Sequence, residues 1–257
     1  MQSVLDATGL DWTVSTLVFF LSLALLAEIL GTIGGFGSSV FFVPVATAFM
    51  GIHEALGLTA LFHVASNISK IALFRQGVDR RIILLLGVPA VLAVILGAWL
   101  TLFIETGDLE IFLGVLLIVL SIFFLRYPKH KIQDSSRNVI AGGLVSGGLA
   151  GLLGTGGAIR GLTLSAFGMP KEIFIATSAV IDLGVDASRA IVYTGNGFVG
   201  TSTLSLLPFM IVIGFIGTYV GKRILEHIPQ ARFKKIVLLL IFGIGLSMVL
   251  IKSSVIG

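Results

Sequence analysis

Thr59, His63, Asn67 and Lys70 are spaced by four, four and three residues, and Ser178, Asp182, Asp186 and Arg189 repeat that spacing 119 positions later. On a helix these spacings place each set on one face. Such a face can bind an ion, pass a proton or pair with a neighbouring helix. A histidine titrates near neutral pH, so His63, Asp182 and Asp186 are the candidate coupling residues. Structural roles compete with this chemistry. Lys70 and Arg189 could snorkel to headgroups, Thr59 and Ser178 could hydrogen-bond a neighbouring helix, and Asp186 could simply pair with Arg189.

A glycine cluster precedes each stripe: Gly34, Gly35 and Gly37 before the first, Gly154, Gly156 and Gly157 before the second. Glycines this dense make a poor helix. After each cluster a short helix is expected to begin, at Ser38 or Ser39 and near Arg160, with its N–H groups and positive dipole end facing the break. Two such N-termini, together with Ser38, Ser39, Thr155 and the cation of Arg160, describe an anion site. A guanidinium suits a planar or tetrahedral oxyanion, although Arg160 also reads as an ordinary outer-loop arginine. Glu28, inside the first apolar run, is read as a proton site or as the partner of Arg160. Glu54 and Glu172 start their helices and are best explained as complements of the dipole. Gly143, Gly147 and Gly151, like Gly217 and Gly221, have small-xxx-small packing spacing.

The elements that must position these residues lie in a bilayer. The chain is 56% hydrophobic and only 12% charged, with a mean hydropathy of +1.09, against roughly 25% charge in a soluble domain. Uncharged runs such as 82–104, 138–159 and 190–221 are long enough for helices, which need roughly 20 residues to cross; a barrel would show alternating segments of roughly 10. The first apolar run follows Asp6 and Asp11 with no Lys or Arg before it, unlike a cleavable signal peptide with a basic start. No cysteine is present, so disulfides and thiolate metal sites are excluded. A pI of 9.6 could suggest nucleic acid, but the basic residues sit in short loops, where they set orientation.

Arg75, Arg80 and Arg81, then Arg126, Lys129, Lys131 and Arg137, then Lys171, and finally Lys222, Arg223, Arg232, Lys234 and Lys235 mark loops expected in the cytoplasm. Segments 1–13, 51–54, 105–108 and 194–203 carry no Lys or Arg and are expected outside, as are both termini. A shift of 119 to 120 also matches Gly34 with Gly154, Pro89 with Pro208 and Gly97 with Gly217. The expected fold is therefore an all-α integral membrane protein of two inverted-topology repeats, 1–130 and 131–257, each with a glycine-rich broken or re-entrant helix. Ten spans, or six spans plus two hairpins that dip in and return, satisfy the charges equally.

In its glycine-rich breaks and the helices after them, including GLLGTGGAIRGL from Gly151, the chain resembles the TauE/SafE sulfite-exporter family over nearly its whole length. The resemblance implies a bacterial plasma-membrane exporter of sulfite, thiosulfate or small organosulfonates. It adds Thr177, with Ser178 and Thr59, as the small polar start of the helix after each break. The second half has Thr163 where the first has Pro44, so the half-sites are expected to be unequal. The leading reading is a secondary transporter working by alternating access, coupled to protons, coupled to sodium, or driven only by the potential. An anion channel and a sodium-coupled carrier of another anion are the alternatives. No GxxxxGK, HExxH or GxSxG motif is present, so neither an enzyme nor a cofactor is expected. Homo-oligomerisation is left open.

Overall fold

The computed structural model describes residues 12–34, 37–75, 77–127, 135–165, 167, 170–227, 238–239 and 241–250. Gly35 lies outside these residues, as do Lys129, Lys131, Arg232, Lys234 and Lys235 of the orientation argument. The described chain is helical: α1 (Val14–Gly34), α2 (Ser39–Thr47), α3 (Ile52–Leu73), α4 (Arg80–Phe103), α5 (Thr106–Arg126), α6 (Ser136–Leu153), α7 (Gly157–Ser165), α8 (Lys171–Gly195), α9 (Thr201–His227) and α10 (Ile241–Leu250).

Five of these, α1, α3, α4, α5 and α9, are long and apolar enough to cross a membrane. Their outward faces carry Phe19, Leu84, Leu92, Phe103, Val119 and Ile211, all exposed, as hydrocarbon rather than water would require. Helix α8 is as long, with 25 residues, but its charges lower its apolar character. Helices α2 and α7 have nine residues each, about 13 Å at 1.5 Å per residue, so neither crosses a core of roughly 30 Å alone.

Local chemistry sets the boundaries. Gly154 ends α6 with φ of +72°, a left-handed conformation that terminates helices and disfavours a side chain. Ser38 stands at the N-cap position of α2, its hydroxyl turned to Glu28 rather than to the helix, and α2 contains Pro44. Asp79 accepts from the Ile82 backbone N–H at 3.1 Å and starts α4. A π-helical turn at Ile83–Gly87 precedes Pro89, widening the helix where proline cannot donate.

The order long, short, long, long in α1 to α4 recurs in α6 to α9. The packing crosses between the halves: α4 lies on α6 as α9 lies on α1, α8 on α4 as α3 on α9, and α3 meets α8. The glycine stripes make these contacts. A Cβ at Gly143, Gly147 or Gly151 would overlap the carbonyls of Leu86, Ala90 or Val94 on α4, while one at Gly217 or Gly221 would press on Glu28 or Thr32 of α1. Phe20, Phe42, Phe62 and Leu56, all buried, fill the core between α1, α2 and α3.

Candidate functional site

The breaks and the polar stripes meet in one place. A cavity of about 20 Å³ is lined by Gly37, Ser38, Ser39, His63, Asn67, Lys70, Ala150, Gly154, Gly156, Gly157, Arg160, Asp182, Val185, Asp186 and Arg189. The starts of α2 and α7 come together here, the Ser39 hydroxyl donating to Thr155 Oγ1 at 3.4 Å. Because α3 packs against α8, the stripes touch. Asn67 donates to Asp186 Oδ2 at 2.7 Å, a contact between residues that the 119-residue shift makes equivalent.

Three ion pairs hold the site. Lys70 lies 2.9 Å from Glu28 Oε1, Arg189 lies 2.7 Å from Asp186 Oδ1, and Arg160 pairs with Asp182. They differ in how firmly the carboxylate is held. Glu28, fully buried, also accepts from Ser38 at 2.5 Å, Ser66 at 2.5 Å, Thr218 at 3.0 Å and Thr32 at 3.2 Å. Asp186 is held by Arg189 and Asn67 together. Asp182 has Arg160 and the Ser178 hydroxyl, at 3.3 Å, and its side chain is the most exposed of the three, 14% against 7% and 0%.

Arg189 Nη1 also donates to the Gly154 carbonyl at 2.8 Å, tying α8 to the second break. Its Nη2 lies 3.3 Å from His63 Nδ1 and, as a donor only, fixes Nδ1 as the acceptor. The ring proton then sits on Nε2, which faces the Ser38 hydroxyl at 3.0 Å, and Ser38 in turn donates to Glu28. One hydrogen-bonded chain therefore links Arg189, His63, Ser38 and Glu28 across both halves. Arg160 Nε donates to Ser178 at 3.1 Å, so Ser178 bridges Arg160 and Asp182.

Most residues singled out in the sequence converge here, and three do not. The Thr59 hydroxyl donates to Ala55 within its own helix at 2.6 Å. Thr177 accepts from the Asp79 backbone N–H at 3.0 Å, steadying the start of α4. Gly34 ends α1 without lining the cavity. Glu28 pairs with Lys70 rather than Arg160, because both lie on the α1–α3 side. Lys70 and Arg189 do not snorkel; each is buried against a carboxylate. Helix α7 starts at Gly157, three residues before Arg160, which places Arg160 in its first turn. Ser66, Thr32 and Thr218 were not anticipated. Their one signal is proximity: Thr32 lies one turn after Glu28, Ser66 one turn before Lys70, and Thr218 beside the repeat-matched Gly217.

What the arrangement can do follows from its charges. Three cations and two carboxylates line a cavity with room for about one water, and Glu28 behind Lys70 and Ser38 completes the charge balance, so an oxyanion fits only if side chains separate. Arg160 is the cation whose carboxylate partner is the most exposed of the three, and it stands at a helix N-terminus, a setting suited to an anion.

Comparison with curated proteins and with solved structures gives no match. The family model for the sulfite exporter TauE/SafE matches residues 20–248, which takes in both breaks, both stripes and every residue of the cavity. The chain belongs to the TauE/SafE sulfite-exporter family of membrane transporters.

Proposed function

We propose that this protein exports a small sulfur-containing anion, namely sulfite, thiosulfate or a small organosulfonate, and binds it in the cavity between the two breaks. The observation that carries the reading is the convergence of two helix N-termini with Arg160, which is paired with only a lightly held carboxylate. Gly37 leaves room for close backbone approach beside Arg160 and Ser39, Ser39 and Thr155 supply hydroxyls, and Arg160 supplies the charge-assisted bonds. The smallness of the cavity favours a carrier over an open channel, because an ion passes only when side chains part.

Alternating access comes from movement of one half against the other. The crossed packing, α4 on α6 and α9 on α1, supports two repeats, 1–130 and 131–257, related by exchange. Loop charges support their opposite orientation, with both termini outside a bacterial plasma membrane. Helices α2 and α7 act as re-entrant or broken segments, and the polar face of α8 is the price of an intramembrane ion path.

The test is binding of sulfite and thiosulfate to the purified protein by titration calorimetry. Saturable binding that Arg160→Ala abolishes, with the variant folded by size-exclusion and thermal unfolding, supports the reading. Undiminished affinity in Arg160→Ala removes Arg160 from the anion site.

A further inference from the structure

We infer that the anion crosses together with a proton, and that Asp182 carries this proton while it releases Arg160. The inference rests on the reading of the cavity as the anion site and adds the identity of the coupling ion. Asp182 occupies on Arg160 the place an oxyanion would take: one carboxylate oxygen on the guanidinium, the other on Ser178, which Arg160 Nε also contacts. It is a tethered competitor for the substrate. The balanced cluster at the cavity, with Lys70, Arg160 and Arg189 against Asp182, Asp186 and the underlying Glu28, gains one net negative charge when a monoanion is added. Buried like charges repel strongly. A proton on an Asp182 oxygen removes both obstacles, since neutral Asp182 no longer competes for Arg160 and the net charge returns to zero.

The neighbours of Asp182 leave it as the group to take the proton. Helix α7 contributes Arg160, and α3 contributes His63 and Lys70. On its own helix stand Asp186 and Arg189. Against α8, α4 presents Gly87 and Val91 to Ile181 and Gly184, and α6 lends Ala150 and Gly154 to the cavity. His63 has both nitrogens engaged, one by Arg189 and one by Ser38. Glu28 is held by Lys70 and four hydroxyls, and Asp186 by Arg189 and, at 2.7 Å, by Asn67. Asp182 also lines the cavity, its neutral donor Ser178 stands off at 3.3 Å, and its side chain is the most exposed of the three carboxylates. Its equivalent in the first half is His63, so one member of each stripe sits at the coupling position and only the second half supplies a carboxylate there.

The experiment uses methanesulfonate, a monoanion that does not titrate over the physiological range. Binding to the wild-type protein is expected to weaken about tenfold for each unit that the pH is raised, the slope for uptake of one proton with the anion. Asp182→Asn should bind with no such slope. In liposomes the wild-type protein should move one proton in the same direction as each methanesulfonate, and an imposed potential should leave the flux unchanged; this second measurement needs no variant to fold. Potential-driven flux without proton movement overturns the inference, as does an unchanged slope in Asp182→Asn. Those results leave the anion site standing. If methanesulfonate, thiosulfate and sulfite all fail to bind and to move, the reading of the cavity itself fails, and the inference with it.

Discussion

Glu28→Gln should destabilise the protein through Lys70. Glu28 is fully buried and Lys70 nearly so, the two lie 2.9 Å apart, and four hydroxyls complete the coordination of the carboxylate. Glutamine keeps the shape and loses the charge, leaving an ammonium in the interior with Ser66 as its remaining partner. Breaking a buried pair from one side costs about 3–5 kcal/mol. For a chain of this length that corresponds to a fall in Tm of about 6–20 °C. The double variant Glu28→Gln, Lys70→Met removes both charges and should recover most of the loss, because the cost lies in the orphaned ammonium and not in the missing attraction. Thermal unfolding of the four proteins in one detergent completes the cycle. A Glu28→Gln variant as stable as the wild type, or a double variant worse than the sum of the singles, would refute the assignment of this pair.

Neighbouring glycines should respond with opposite sign. Gly147→Val drives a side chain into the Ala90 carbonyl and should cost about 3 kcal/mol or more by separating α4 from α6, whereas Gly148→Ala meets nothing within 4 Å and should gain about 0.5–1 kcal/mol in helix propensity; thermal unfolding reads both. Single cysteines at Arg81 and Thr201, both exposed and 120 positions apart, should react with impermeant reagents from opposite sides of oriented vesicles; labelling from one side sinks the inverted orientation. Arg160→Lys should bind sulfite more weakly than the wild type by roughly tenfold, since a lysine keeps the charge but loses the fork that reaches Ser178 and the anion together; calorimetry showing equal affinity would contradict it.

The membrane class, the two breaks and the two stripes were legible because each leaves a local pattern: apolar runs, clustered glycines, and polar residues at helical spacing. The equivalence of Asn67 and Asp186 was visible as a number, and the structure turns it into a 2.7 Å contact. The partners of the ion pairs were not legible. Whether Glu28 meets Arg160 or Lys70 depends on which helix faces which, and sequence spacing carries no information across helices. Thr32, Ser66 and Thr218 were hidden for a related reason, since a hydroxyl on an apolar helix more often bonds its own backbone, as Thr59 does. The sequence puts the start of α7 near Arg160 because Gly157 looks like part of the break, although Gly157 is already helical.

The central claim is that a sulfur oxyanion is carried through the cavity at Arg160. Counterflow measures it most directly: liposomes containing the protein and preloaded with unlabelled sulfite or thiosulfate, placed in labelled anion. The account predicts saturable accumulation of label in exchange for internal anion, lost in Arg160→Ala liposomes that contain folded protein. Linear, non-saturable flux would indicate a channel, and no flux from folded wild-type protein with any of these anions would contradict the account.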